Sequence, residues 1–152
     1  GVKAVVLGDS VTGEAREVAA LHAALAREIK MRGLPWPAPL AVISGGECTV
    51  TIRGKGRGGR CAEFLLALTR ELNGIDGIHA LACDTDGIDG TEDNAGAIAS
   101  PDSPARAGKL GINAATMLAN NDGYSYFSAL GDLVVTGPTR TNINDYRVIL
   151  VT

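Results

Sequence analysis

The sequence predicts an α/β domain, a mixed β-sheet layered with helices, and three observations carry that reading. Short apolar runs alternate along the chain with longer segments of helical periodicity, the pattern of strand and helix units in one sheet. A Gly-Gly step between two β-rich runs asks for an antiparallel pair within it. The third observation is scale: 152 residues, 45% hydrophobic and 20% charged, suffice for a real core, and residues 1–152 read as a single domain.

The elements follow in order. "VKAVVLG", residues 2–8, is a buried strand and "DSVTG" its turn. Residues 14–31 are helical because Ala15, Val18, Ala19, Leu25 and Ile29 share one face at 3.6-residue spacing, and Pro35, Pro37 and Pro39 end the segment. "LAVIS" (40–44) and "CTVTIR" (48–53) flank Gly45-Gly46-Glu47 and are expected to pair as an antiparallel hairpin. After "GKGRGG" the pattern turns helical over 61–72. "IHALAC" (78–83) is a buried strand whose carboxyl end delivers a long acidic loop, the position where open α/β sheets collect ligands. A short apolar piece begins near 95 and helical segments occupy 103–130. "LVVTG" (133–137) and "YRVILV" (146–151) close the domain as strands.

Composition narrows the function. Fourteen basic against seventeen acidic residues leave a net charge of -3, which favours neither nucleic acid nor an anionic membrane and points to a small-molecule partner. Cys48, Cys61 and Cys83 have no CxxC or Cys/His spacing, so reduced thiols in a cytoplasmic protein are expected rather than disulfides or zinc. No apolar run approaches the roughly 18 residues of a membrane span, and no signal peptide is evident. The chain opens Gly1-Val2-Lys3 without an initiator Met and enters an apolar run at once, as an excised domain would, so a partner domain is expected.

Three loops carry chemistry. "DTDGIDGTEDNAGA" (84–97) packs five carboxylates among glycines, but it is not a calcium loop. Starting at Asp84, an EF-hand register puts Ile88 at position 5, Asp89 where glycine is required and Ala95 where the bidentate Glu belongs. "RGKGRGGR" (53–60) satisfies G-x-G-x-x-G through Gly54, Gly56 and Gly59, but Lys55 and Arg57 occupy positions where a dinucleotide turn packs closely, and no Gly-Lys-Ser/Thr completes a Walker loop. What remains is an anion-facing loop: glycine amides, a helix start near 61, and Arg60 able to fork onto a carboxylate or phosphate. "TGPTRTNINDY" (136–146) is rich in hydroxyls and amides between two apolar strands, with Gly137-Pro138 and Asn144-Asp145 as turn formers.

Taken together, "ISGGE", "GKGRGGR" with Glu63 in the helix behind it, "TDGIDG" with Asp93 and "AGA", and "TGPT" with "TN" and Asp145 resemble the signature blocks of the MOFRL domain. That domain is the C-terminal part of class II glycerate 2-kinases, some of whose relatives are named as hydroxypyruvate reductases of tartrate degradation. The resemblance covers essentially the whole chain. It implies the C-terminal half of a two-domain enzyme, with a Rossmann-like N-terminal domain preceding it and an active site in the cleft between them.

Arg60 and Asp86 are the positions that the resemblance turns toward that cleft as catalytic candidates, while the family's catalytic lysine belongs to the other domain. Substrate- and phosphate-facing positions are then expected at Glu47, Lys55, Arg57, Gly58 and Gly59, at Thr85 and Gly87, and at Thr136, Gly137, Thr139 and Asn142. ATP and Mg²⁺ are the implied cofactors, with glycerate as substrate; NAD(P)H is the cofactor of the reductase alternative, and a lid without chemistry of its own is a third reading. A homodimer is compatible with the chain. Arg60 suits a substrate carboxylate, and Asp86 suits either the attacking hydroxyl or a Mg²⁺ ion. Asp84, Asp89 and Asp93 are secondary candidates, each expected to serve turns of its own loop. The sequence departs from the family pattern at Cys61-Ala62, where Asn-Gln is usual, and at Arg140, where a small residue is usual.

Overall fold

A computed structural model describes all of residues 1–152. The strands are β1 (Lys3–Gly8), β2 (Gly13–Glu14), β3 (Leu40–Gly46), β4 (Cys48–Thr49), β5 (Ile78–Asp84), β6 (Gly96–Ala99), β7 (Leu133–Val134) and β8 (Asp145–Val151). The helices are α1 (Ala15–Arg32), α2 (Arg60–Leu72), α3 (Ser103–Lys109), α4 (Ala114–Ala119) and α5 (Gly123–Leu130). Six strands form one mixed sheet in the order β1-β3-β8-β5-β6-β7, and β2 pairs with β4 separately. Within the six-stranded sheet only β1 and β3 run parallel as neighbours; β8 is antiparallel to both β3 and β5. The sheet is flanked by helices, as the α/β reading expects.

α1 buries Ala15, Val18, Ala19, Ala23, Ala26 and Ile29, the apolar stripe of the sequence. It stops one step before the prolines, at Gly33, whose φ of 66° places it in the left-handed region and lets its amide reach the carbonyls of Glu28 and Ile29. α2 is buried nearly all round, from Cys61 through Thr69, because α1, β5, β6, α4 and α5 surround it. Phe64, Leu65, Leu66 and Leu68 are fully buried and make α2 the axis of the core.

The hairpin expected from Gly45-Gly46-Glu47 does not form. Both edges of β3 are taken, by β1 on one side and β8 on the other, so 48–53 has no edge to pair with. Gly45 and Gly46 are the last residues of β3 rather than a turn, and only Cys48–Thr49 is strand, running parallel to β2. Gly46 has φ 121°, and a Cβ there would lie 2.3 Å from the Val11 carbonyl oxygen. The glycines therefore serve a close crossing with the 9–13 segment, whose Val11 amide donates to the Gly45 carbonyl at 3.1 Å. The strand expected at 133–137 is likewise short, ending at Val134.

Gly46→Ala is expected to cost at least about 2 kcal/mol, since backbone on both sides must move to admit the methyl group. Gly108→Ala, in α3 with open space around its Cα, is expected to gain up to about 1 kcal/mol. Urea unfolding of the two variants beside the wild type checks both signs.

Candidate functional site

The carboxyl ends of β1, β3 and β5 and the amino end of β8 lie at one end of the sheet, so the loops 45–59, 84–95 and 135–144 gather there. The start of α2 points into the same region and carries Arg60 as its first residue. Arg60 Nη2 donates to Asp84 Oδ2 at 2.7 Å, Nε donates to Asp145 Oδ1 at 3.2 Å, and Nη1 lies 3.5 Å from Glu47 Oε1. Its side chain stays 30% exposed while Asp84 and Asp145 are 6% and 1% exposed, so each guanidinium nitrogen faces a carboxylate while part of the side chain still meets solvent. Burial, only partly offset by the Asp86 amide and by Arg60, pushes the Asp84 carboxyl above the usual carboxylate range.

Asp145 is shared. Its Oδ2 accepts from Arg147 Nη2 at 2.5 Å and from the Cys48 amide at 3.3 Å. Arg147 is 1% exposed, lies 5.2 Å from the Phe64 ring centroid and also contacts Cys48 Sγ at 3.0 Å. One carboxylate thus links a buried cation to the half-exposed Arg60. The sequence names Asp145 only as a turn former and family marker; its position at the start of β8, opposite Asp84 in the ladder, gives it this role.

The acidic loop divides its five carboxylates among separate tasks. Asp89 Oδ1 and Oδ2 accept from the amides of Cys61 and Ala62 at 3.0 and 2.8 Å, capping α2 from outside. Asp93 accepts from the Tyr124 hydroxyl at 2.9 Å, and Glu92 accepts from Arg57 Nε at 3.0 Å. These two and Asp89 reach other segments rather than serving their own loop. Asp86 Oδ1 accepts from the Ile88 amide at 2.9 Å in a local Asx turn, and its backbone carbonyl accepts from the Thr139 amide at 2.9 Å.

The glycine-rich loop is likewise occupied from within. The amides of Arg53 and Gly54 donate to Asn121 Oδ1, that of Lys55 to Asn120 Oδ1, that of Gly56 to the Asn120 carbonyl, and that of Arg57 to Asp122 Oδ1. A Cβ on Gly54 or Gly56 would lie 2.4 to 2.5 Å from the Asn120 carbonyl oxygen, and one on Gly59 would lie 2.3 Å from Asp89 Oδ1. So many of the amides expected to face an anion already donate to the protein's own groups, carboxylates among them only at Asp122 and Asp89. Arg57 is paired with Glu92 and sits 4.3 Å over the Tyr124 ring. Asn121, buried and with φ 55°, also donates to the Thr51 carbonyl and to Glu63, which Arg16 engages from α1.

The third loop packs on the acidic one. Thr85 donates to the Asn144 carbonyl, Ile143 donates to Thr85 Oγ1 at 2.9 Å, Thr139 Oγ1 donates to the Thr85 carbonyl, and Asn142 Oδ1 accepts from the Asn144 amide. A Cβ on Gly87 would meet the Gly137 carbonyl at 2.2 Å, with Thr136 Oγ1 at 3.1 Å. Thr85, Gly87, Thr136, Gly137, Thr139 and Asn142 therefore share one surface beside Asp86. Glu47 joins Arg60, Gly58 and Gly59 lie at the start of α2, and Lys55 projects from the exposed loop tip. A cleft of about 170 Å³ lined by Gly56, Gly58, Gly59, Arg60, Glu63 and Asn121, among others, opens beside them. No three His, Cys, Asp or Glu side chains gather into a metal-sized group. Cys61 and Ala62, the departures from the family pattern, are fully buried, and a Cβ on Gly123 would touch Ala62.

The MOFRL family profile matches residues 40–145, which span all three loops and the strands that hold them. The chain belongs to the MOFRL family. An Agrobacterium vitis protein named as a proposed hydroxypyruvate reductase is 50% identical over 99% of this chain and 35% of its own length. A Thermotoga maritima D-glycerate 2-kinase is 36% identical over 99% of this chain and 36% of its own. The crystal structure of a glycerate kinase from Thermotoga maritima matches the entire domain with a TM-score of 0.97 at 36% identity, over 37% of that chain. A crystal structure of a Pyrococcus horikoshii protein matches with a TM-score of 0.94 at 35% identity. This MOFRL domain thus spans little more than a third of the length of those relatives.

Asp89 gives the MOFRL domain a pH signature. Burial pushes its carboxyl up to about 6, against the downward pull of the two amides it caps. A carboxyl raised in the folded state favours folding when protonated, so stability is expected to fall as pH rises from about 4 to about 6 and then level off. The loss assignable to Asp89 is about 2 to 3 kcal/mol. Asp89→Asn, which cannot ionise, should show a correspondingly shallower slope in urea titrations across that range.

Proposed function

We propose that this chain is the C-terminal domain of a glycerate 2-kinase and supplies substrate- and phosphate-facing loops to an active site completed by a second domain. The observation that carries the reading is Arg60: a partly exposed guanidinium fixed by the buried Asp84 and Asp145, and faced by the exposed Glu47, at the sheet end where three loops meet. A planar fork held this way is preorganised for a carboxylate or phosphoryl oxygen, and positioning with charge neutralisation is most of what phosphoryl transfer asks of a protein. Arg60 takes the glycerate carboxylate or the transferring phosphoryl group. Asp86, with Oδ1 committed to the Ile88 amide, presents Oδ2 to orient the attacking hydroxyl.

The donor set fits ATP and Mg²⁺ only as a partial site. Asp84, Glu47 and Asp145 are turned onto Arg60, which leaves Asp86 as one carboxylate ligand, and Mg²⁺ in kinases often takes only one or two alongside phosphate oxygens. When bound, the ion would supply neutralisation of phosphate charge. Thr136 and Thr139, beside Asp86, offer hydroxyls to the same region.

The nicotinamide-dependent reductase is the second reading, favoured by the naming of the Agrobacterium vitis relatives. Against it, the amides of residues 53–57 already donate to Asn120, Asn121 and Asp122, and Asp89 occupies the start of α2. A dinucleotide pyrophosphate needs those donors free.

ATP-dependent phosphorylation of glycerate by the full-length protein, with the product position read by NMR, tests the kinase; NADPH oxidation with hydroxypyruvate and no ATP-dependent product would overturn it. The 152 residues alone are expected to fold and to show no turnover of ATP and glycerate. Arg60→Lys should harm the full-length enzyme nearly as much as Arg60→Ala, by about 2 to 4 kcal/mol in kcat/KM, because a point charge lacks the planar grip. Asp86→Asn should lower kcat by roughly 10² with folding unchanged; near-normal kcat would remove Asp86 from the mechanism.

A further inference from the structure

All five helices lie on one face of the six-stranded sheet, and the other face is bare. Register across the strands lines up Val6, Ile43, Val148, Leu81 and Ile98 in one row, each opposite the next on β1, β3, β8, β5 and β6. The neighbouring row toward one end is Ala4, Ala41, Leu150 and His79. Toward the other end stand Gly45, Tyr146 and Cys83. None of these positions holds Asp, Glu, Lys or Arg, and Val6, Ile98 and Tyr146 are 68%, 46% and 42% exposed.

We propose that this outer face seats a layer of two amphipathic helices supplied by the remainder of the longer polypeptide, completing an α/β/α sandwich. The proposal rests on the reading of this chain as one domain of a two-domain protein. Three observations select that occupant. Away from their ends, β1, β3, β5 and β8 carry apolar residues on both faces apart from Ser44, His79 and Arg147, the composition of strands covered on both sides, whereas a sheet with one solvated face alternates apolar and polar. Five strands are about 24 Å across at the usual spacing. That width takes two helices of about 10 to 12 Å each, as α1 and α2 do on the inner face. The face is also grooved: a hollow of about 190 Å³ between Leu81, Ile98, Val148 and Leu150 suits large side chains projecting from a helix. The matched relatives have nearly two thirds of their length outside this domain, ample for such a layer.

A thiol at Val148, in the centre of the face, tests the proposal. In a Cys83→Ala background, Val148→Cys should react readily with a maleimide in the 152-residue chain, where Cys48 and Cys61 are sealed in the core. In the full-length protein, at a monomer mass by sedimentation, the same thiol should react at least tenfold more slowly. Val148→Asp gives a second reading: it should lower the thermal midpoint of the full-length protein and leave that of the 152-residue chain nearly unchanged. Equal labelling rates in the two contexts would overturn the proposal. So would protection that disappears on dilution of a full-length dimer, since the occupant would then be a second copy. Neither measurement needs turnover, so a protein inactive on glycerate but protected at this thiol would sink the kinase reading alone.

Discussion

A helix that begins deep inside a protein leaves amides that must find partners, and in this domain the carboxylate of Asp89 supplies them for α2. The contact ties the buried central helix to the loop leaving β5, and Gly59 and Gly90 are small because their backbones cross directly beneath it. Arg60 emerges one residue before the capped amides. The direction of its guanidinium, and with it the geometry of the candidate site, depends on α2 starting where Asp89 fixes it.

Around that start the charges form a graded chain rather than a set of independent pairs. Arg147 is buried against Phe64, Asp145 links it to Arg60, and Asp84 and Glu47 engage Arg60 from further sides. Removing an arginine of such a group would leave carboxylates buried without compensation, which costs more than the pair contributes. The arrangement holds a partly exposed arginine rigid from several sides, which a flexible surface arginine does not achieve. The same logic applies to Glu63, whose carboxyl is pushed up by burial and held by Arg16 and Asn121, so that α1, α2 and the glycine-rich loop share one buried acid.

The fold was largely legible because its signals are local. α1, α2, β5 and β8 each carry their own periodicity, and the structure places them within a few residues of the expected bounds. The hairpin failed for the opposite reason. Gly45-Gly46 has the composition of a turn, but its conformation answers to Val11, a residue that reaches it only after the chain has passed through α1. In the site, the grouping of the three loops followed from strand ends, whereas the partners of individual side chains did not. Asp89 to Cys61 spans 28 residues, Arg60 to Asp145 spans 85, and the asparagines that fill the glycine-rich loop lie more than 60 residues beyond it.

By itself, the sequence determined an α/β domain with reduced cysteines, its main helices and strands, the three polar loops and a family membership carried by four ordered blocks. These depend on residue type at short spacing, where side-chain volume and backbone preference act within a few residues. Tertiary structure decided which carboxylate meets which cation, that the phosphate-like position at α2 is filled by Asp89, and that the apolar character of the strands extends to an outer face no helix of this chain covers. Each is a pairing in space between segments far apart along the chain, and only packing around α2 selects among the many pairings the composition allows.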